Sequence, residues 1–167
     1  MQINSDINIL GGLPDFNLVN HFLLTNKTVQ QDHHTFTSIK TDKSVKRFEK
    51  AINGTLLKFH NKEVANLVKS ILSAESISQD SMTMLFWNSS FNNELLHYLN
   101  SNVYFPSFYS GRLIIKKEDV NACIKELKET EDVVRAWTIL TIETVGRKYL
   151  TLLKKFNLMQ GSINKSI

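Results

Sequence analysis

Thiols are almost absent from this chain, with Cys123 the single cysteine. A lone thiol has no internal partner, which excludes a disulfide scaffold and makes a reducing compartment the expected one. Long apolar runs are also missing. Met84-Leu85-Phe86-Trp87 is the longest of note. It suits a core and falls far short of the roughly 18 residues of a membrane span. Met1 to Asp6 lacks a basic start followed by an apolar stretch, so no signal peptide is expected there. The expected location is the cytoplasm. Period-two alternation between turn clusters is nearly absent, so little sheet is expected.

Catalytic patterns are equally scarce. His33 and His34 are adjacent, which sets them roughly 100° apart on a helix, and His21, His60 and His97 are scattered. No His-Glu-x-x-His or Cys-x-x-Cys spacing is present, so no metal site is expected. Gly11-Gly12 lacks the Gly-Lys-Ser/Thr ending of a phosphate loop, and no Gly-x-Ser-x-Gly elbow occurs. Cys123 lies beside an apolar helical stripe and reads as a small buried hydrophobe. Glu118-Asp119 and Glu131-Asp132 open helices, where the dipole accounts for them. The expectation is a protein that is not an enzyme and needs no cofactor.

Apolar residues make up 42% of the 167, enough to offset chain entropy, so the chain folds. Its length suits one domain or a tight pair of helical subdomains. We expect a polar segment over 1–12, a single all-helical domain over 13–161 and a tail over 162–167. A first helix opens at Leu13-Pro14-Asp15, with Phe16, Val19, Phe22 and Leu23 at helical spacing. A short one is expected over Thr28 to Phe36. Over 44–60, Val45, Phe48, Ile52, Leu56 and Phe59 make one apolar face, weakened at Asn53-Gly54. Asn61 caps the next helix, whose apolar residues are Val64, Leu67, Val68, Ile71 and Leu72.

Residues 79–90 and 91–100 read as two more helices. Val103 to Tyr109 is an aromatic connection broken by Pro106, and Leu113-Ile114-Ile115 a short strand or buried linker. A helix opens at Lys117-Glu118-Asp119 with Val120, Ile124 and Leu127 on one face. Thr130 caps a long last helix to about Phe156, apolar on most sides, with Gly146 marking close packing. Trp87, Trp137, Phe86, Phe91 and Phe105 are core candidates. The sum is an all-α bundle of about seven or eight helices.

Charge placement is the informative positive signal. From Lys40 to Lys62, seven cations (Lys40, Lys43, Lys46, Arg47, Lys50, Lys58 and Lys62) meet two carboxylates, Asp42 and Glu49. That excess is larger than the net +4 of the whole chain. Lys43, Arg47 and Lys50 step by four and three along one helical face, and Val45, Phe48 and Ile52 claim the other. Thr41 and Ser44 sit at the helix start, where hydroxyls and amides commonly meet phosphates; Thr35, Thr37 and Ser38 precede them. The site expected is a DNA-binding face of Lys40, Thr41, Lys43, Ser44, Lys46, Arg47 and Lys50. A secondary basic patch, Arg147, Lys148, Lys154 and Lys155, lies late in the last helix, where cations are favourable anyway. No basic cluster interleaved with aromatics is evident, which places duplex ahead of single-strand recognition.

The order of these features is itself informative. Gly11-Gly12-Leu13 runs into an apolar helix, and Lys46-Arg47 lies on the basic one. Lys117-Glu118-Asp119-Val120 leads a short one. Last comes Trp137-x3-Thr141-x7-Tyr149-Leu150-x2-Leu153-x4-Leu158-Met159-x-Gly161. Over about residues 9 to 161 the chain resembles the BrxA family of BREX bacteriophage-defence systems, once labelled putative inner membrane proteins. The resemblance implies a helical fold akin to the antitermination factor NusB. It also implies double-stranded DNA binding by a non-catalytic member of a defence complex, with other BREX proteins as further partners. It supplies no set of contacting residues. The lack of a membrane-length segment argues against the membrane label. The alternatives are a protein–protein adaptor, with Val103 to Tyr109 as its hot spot, and an RNA-binding helical bundle.

Overall fold

A computed structural model describes Ile3, residues 6–13, Phe16, Val19, Phe22 and residues 41–72, 77–112, 114–161 and 165–166. The elements in chain order are α1 (Asp6–Leu10), α2 (Asp42–Ala51), a π turn (Ile52–Leu56), α3 (Lys62–Leu72) and α4 (Gln79–Asn92). Next come α5 (Glu94–Leu99), a second π turn (Asn100–Tyr104), α6 (Phe105–Tyr109) and β1 (Ile114–Ile115). The chain ends with α7 (Lys117–Leu127), α8 (Asp132–Arg135), α9 (Ile139–Lys155) and β2 (Lys165–Ser166). The protein is all-α, with eight helices longer than a single turn among the described residues. Their one sheet pairs β1 with β2 antiparallel, Ile114 opposite Ser166 and Ile115 opposite Lys165. The expected helix over 28–36 and most of the one after Leu13 lie outside the described residues, as do His21, His33, His34 and Thr35, Thr37 and Ser38.

The chain forms two compact units, Leu13–Asn92 and Met1–Gly12 with Asn93–Ile167. In the second unit α9 is central and packs on α7 and α1. Its Ile142, Val145, Tyr149, Leu152 and Leu153 are fully or almost fully buried, the three–four spacing of a helix covered on one side. Gly146 sits where α7 comes closest: a Cβ there would collide with the Asn121 side chain. The close packing expected at Gly146 is what the structure has. Deep in this core the Tyr149 hydroxyl donates to Asn100 Oδ1 at 2.9 Å. Burial pushes the Tyr149 phenol well above its ordinary pKa.

The N-terminal segment, expected to be polar throughout, carries α1. Ile7 and Leu10, three residues apart, are fully buried on one side of it. Gly11 follows because α9 lies against the backbone: a Cβ there would meet the Lys148 carbonyl oxygen at 2.5 Å.

The long last helix is in fact two. Thr138 is extended, its hydroxyl accepts the Thr141 N–H at 3.1 Å, and α9 starts there, while α8 is one turn. Thr130 is not its cap, since that hydroxyl donates to the Leu127 carbonyl. Val133, Ile139 and Leu140 fall outside the buried register and are exposed. The aromatic stretch Val103 to Tyr109 spans the end of the second π turn and α6, with Pro106 in the first turn of α6. Gly111, at φ 69°, turns the chain so that Arg112 reaches Asp119 at 2.7 Å. Burial alone would raise the Asp119 carboxyl; bonds from the Lys116 N–H and the Arg112 guanidinium outweigh it and hold the pKa below the usual value.

Candidate nucleic-acid interface

The basic stripe stands on α2. Thr41 is its N-cap, extended, with Oγ1 accepting the Ser44 N–H at 3.3 Å and the two hydroxyls 2.9 Å apart. Both hydroxyls therefore serve the cap. Asp42 in the first turn suits the dipole. Val45 and Ala51 are buried and Phe48 half-buried, which fixes the rotation of the helix. Lys43, Lys46, Arg47 and Lys50 are consequently all exposed. With Asp42 they line an open hollow of about 490 Å³. Lys40 lies outside the described residues.

Among the described residues no ion pair engages any of these four cations. Lys43 with Arg47 and Lys46 with Lys50 are like charges one turn apart, each pair costing about 0.2–0.5 kcal/mol at low salt. Asp42, four residues before Lys46, offsets part of that cost. Four cations over two turns, held outward by their own apolar side, form a surface that a polyanion relieves.

The end of α2 is fixed by side chains whose role the sequence did not reveal. The helix runs into the π turn at Asn53-Gly54, where the sequence reads as weakened, and the Leu57 N–H reaches the Ile52 carbonyl at 2.9 Å. Such a turn leaves carbonyls to be satisfied elsewhere. Asn88 Nδ2 donates to Leu56 O at 2.7 Å and Lys58 O at 3.1 Å. Asn92 Nδ2 donates to Thr55 O at 3.0 Å and Lys58 O at 2.8 Å. The four-residue spacing of Asn88 and Asn92 on α4 was the available signal. Asn61 caps α3 as expected, its Oδ1 accepting the Val64 N–H at 2.8 Å.

The structure corrects the aromatic assignments. Phe86 is buried, but Trp87 is 45% and Phe91 69% exposed, and Phe105 and Trp137 are half-buried. Tyr109 and Phe108 of α6 are also exposed. On α3, Val68 is buried while Val64 and Leu67 face outward.

The secondary patch differs in kind. Arg147 and Lys154 are exposed, whereas Lys148 and Lys155 are half-buried, with the Lys148 stem and backbone against Gly11. This patch belongs to the unit of α9 and the stripe to the unit of α2.

Cys123 is buried. Burial raises its pKa against the opposing hydrogen bond from Tyr98. A cleft of about 410 Å³ between α6 and α7 is lined by Cys123, Glu126, Ser107 and the Arg112–Asp119 pair among others. Among the described residues no three His, Cys, Asp or Glu side chains are grouped to hold a metal ion. None of their helices is long and apolar enough to cross a membrane.

No curated protein and no solved structure matches the chain. The model of the BrxA family matches residues 34–167, a span that takes in α2 and everything after it. The chain belongs to the BrxA family, and that membership implies a BREX-associated defence protein.

Proposed function

We propose that this chain is a non-catalytic, double-stranded DNA-binding component of a BREX-type defence system, acting in the cytoplasm alongside other BREX proteins. Lys43, Lys46, Arg47 and Lys50 grip phosphates, Lys40 joins them as a further phosphate-binding cation, and the Thr41–Ser44 cap sets the helix start. The observation that carries this reading is the exposure of four cations on one short helix with no carboxylate paired to them among the described residues. Such a face releases counterions on binding, so affinity falls steeply with salt and depends little on base sequence. The NusB-like architecture implied by the family resemblance accords with an all-α chain.

The test is a gel-shift titration of duplex DNA with wild type and the triple variant K43E/R47E/K50E. Charge reversal is expected to weaken duplex binding at least tenfold at low salt. Unchanged affinity in the folded variant removes the stripe from the interface.

The exposed Phe108 and Tyr109 favour a second reading, a protein adaptor docking through α6. Pull-downs with and without nuclease separate the two: a partner retained after nuclease favours the adaptor, and one that is lost favours DNA bridging.

A further inference from the structure

We propose that Trp87 and Phe91, exposed on α4, the helix whose Asn88 and Asn92 hold the Lys58 carbonyl, form a stacking platform for unpaired nucleobases, so that the unit carrying α2 also takes a single-stranded segment. This rests on the nucleic-acid reading of α2 and adds to it a ligand class that the sequence ranked behind the duplex.

Trp87 and Phe91 are four residues apart, so they share one helix face with Cβ atoms roughly 5–6 Å apart. They are 45% and 69% exposed, a costly placement for two large rings. The Trp87 ring is braced edge-on by Phe86, with centroids 5.6 Å apart and planes at 61°. Phe86 itself is buried, which leaves the Trp87 ring oriented from beneath.

The neighbouring row of α4 supplies the link to positive charge. Asn88 and Asn92, each one residue on from an exposed aromatic, both hold the Lys58 carbonyl. Lys58 is exposed, and its carbonyl is held by the asparagine row that adjoins the aromatic one in sequence. From Lys50 the chain passes through the π turn to Lys58, so both cations belong to one short stretch of chain. Residues 41–72 carry seven Lys and Arg against three carboxylates, and α4 holds one charged residue, Asp80, near its start. This is the combination that binds single strands without sequence preference: cations along the backbone path and π faces for the bases. An apolar protein surface would match the rings but not the excess of cations over residues 41–72 of the same unit.

The test uses the full chain with two probes of equal length, an oligothymidylate strand and a blunt duplex. In a W137F background Trp87 is the sole tryptophan, and its fluorescence reports on the platform directly. The single strand is expected to quench Trp87 and the duplex to leave it nearly unchanged. W87A/F91A should lose at least tenfold affinity for the single strand and less than twofold for the duplex. W87F/F91Y, which keeps both rings, should retain single-strand affinity, and that rescue excludes loss through misfolding. Duplex binding by wild type with no quenching and no effect of W87A/F91A overturns the platform and leaves the α2 reading standing. Failure of wild type to bind either probe overturns both.

Discussion

The two basic clusters use the same side chains and differ in what their helices do. On α2 all four described cations are exposed, because Val45, Ala51 and part of Phe48 turn inward. On α9 one full side is core, and of its cations Arg147 and Lys154 are exposed while Lys148 and Lys155 are half-buried. Lys148 lies over Gly11, while Lys154 and Lys155 occupy the last turn, where the dipole welcomes positive charge. A Lys or Arg is available to a ligand when its helix has nothing else to do with it.

The largest break in that comparison is a core deletion. Leu153→Ala, at a fully buried position on α9, should cost about 2–5 kcal/mol through lost transfer energy and a residual cavity. Urea denaturation measures it. A loss below about 1 kcal/mol, within the range of a surface change, would show that α9 is not the centre of its unit.

Next comes pH. Burial keeps Tyr149 protonated in the folded protein well above the ordinary tyrosine value of 10.0. The unfolded chain ionises first, so this contribution to stability is intact below about pH 10 and is lost as pH rises beyond it. Tyr149→Phe gives up the bond to Asn100, at a cost of about 1–2 kcal/mol at neutral pH. It should also flatten the alkaline fall in stability by up to about 1.4 kcal/mol per pH unit, one proton's worth. Parallel slopes for wild type and Tyr149→Phe between about pH 9 and 11 would contradict the burial of this hydroxyl.

Much of this was legible where a helix is amphipathic. In α2 and α7 the apolar residues fall on one face, so face and outward charge could be read together. Asn61 and Gly146 were legible because a cap and a close approach each demand particular residue types. Around α4 the polar and apolar residues surround the axis without forming a stripe. The inward row of Asn88 and Asn92 and the outward row of Trp87 and Phe91 therefore depended on what the π turn offered as partners. That turn lies some thirty residues away in sequence, beyond local periodicity. The same holds for β1, whose partner Lys165–Ser166 carries no strand signal of its own. The break at Thr138 was missed because apolar residues continue through it while their register shifts. The α1 helix was missed because five residues are too few for a period to stand out from a polar segment.

The smallest expected effect sharpens the comparison most, because it uses the same chemistry on the other helix. R147E/K154E reverses the two exposed cations of α9, which lie seven residues apart and so on one row. Both point to solvent and neither packs like Lys148, so the fold should tolerate the change within about 0.5 kcal/mol. If α2 alone meets the phosphates, duplex affinity at low salt should fall less than threefold. That loss is what a change in the long-range field produces without loss of a contact. The slope of log affinity against log salt should match wild type, since that slope counts phosphates neutralised and none is given up. The same measurement on K43E/R47E/K50E should show a reduced slope. A fall in slope for R147E/K154E as large as that for the α2 variant would mean that both helices touch the nucleic acid. The half-buried cations of α9 would then mark the margin of a wider footprint, and the contrast between the two clusters would be one of degree.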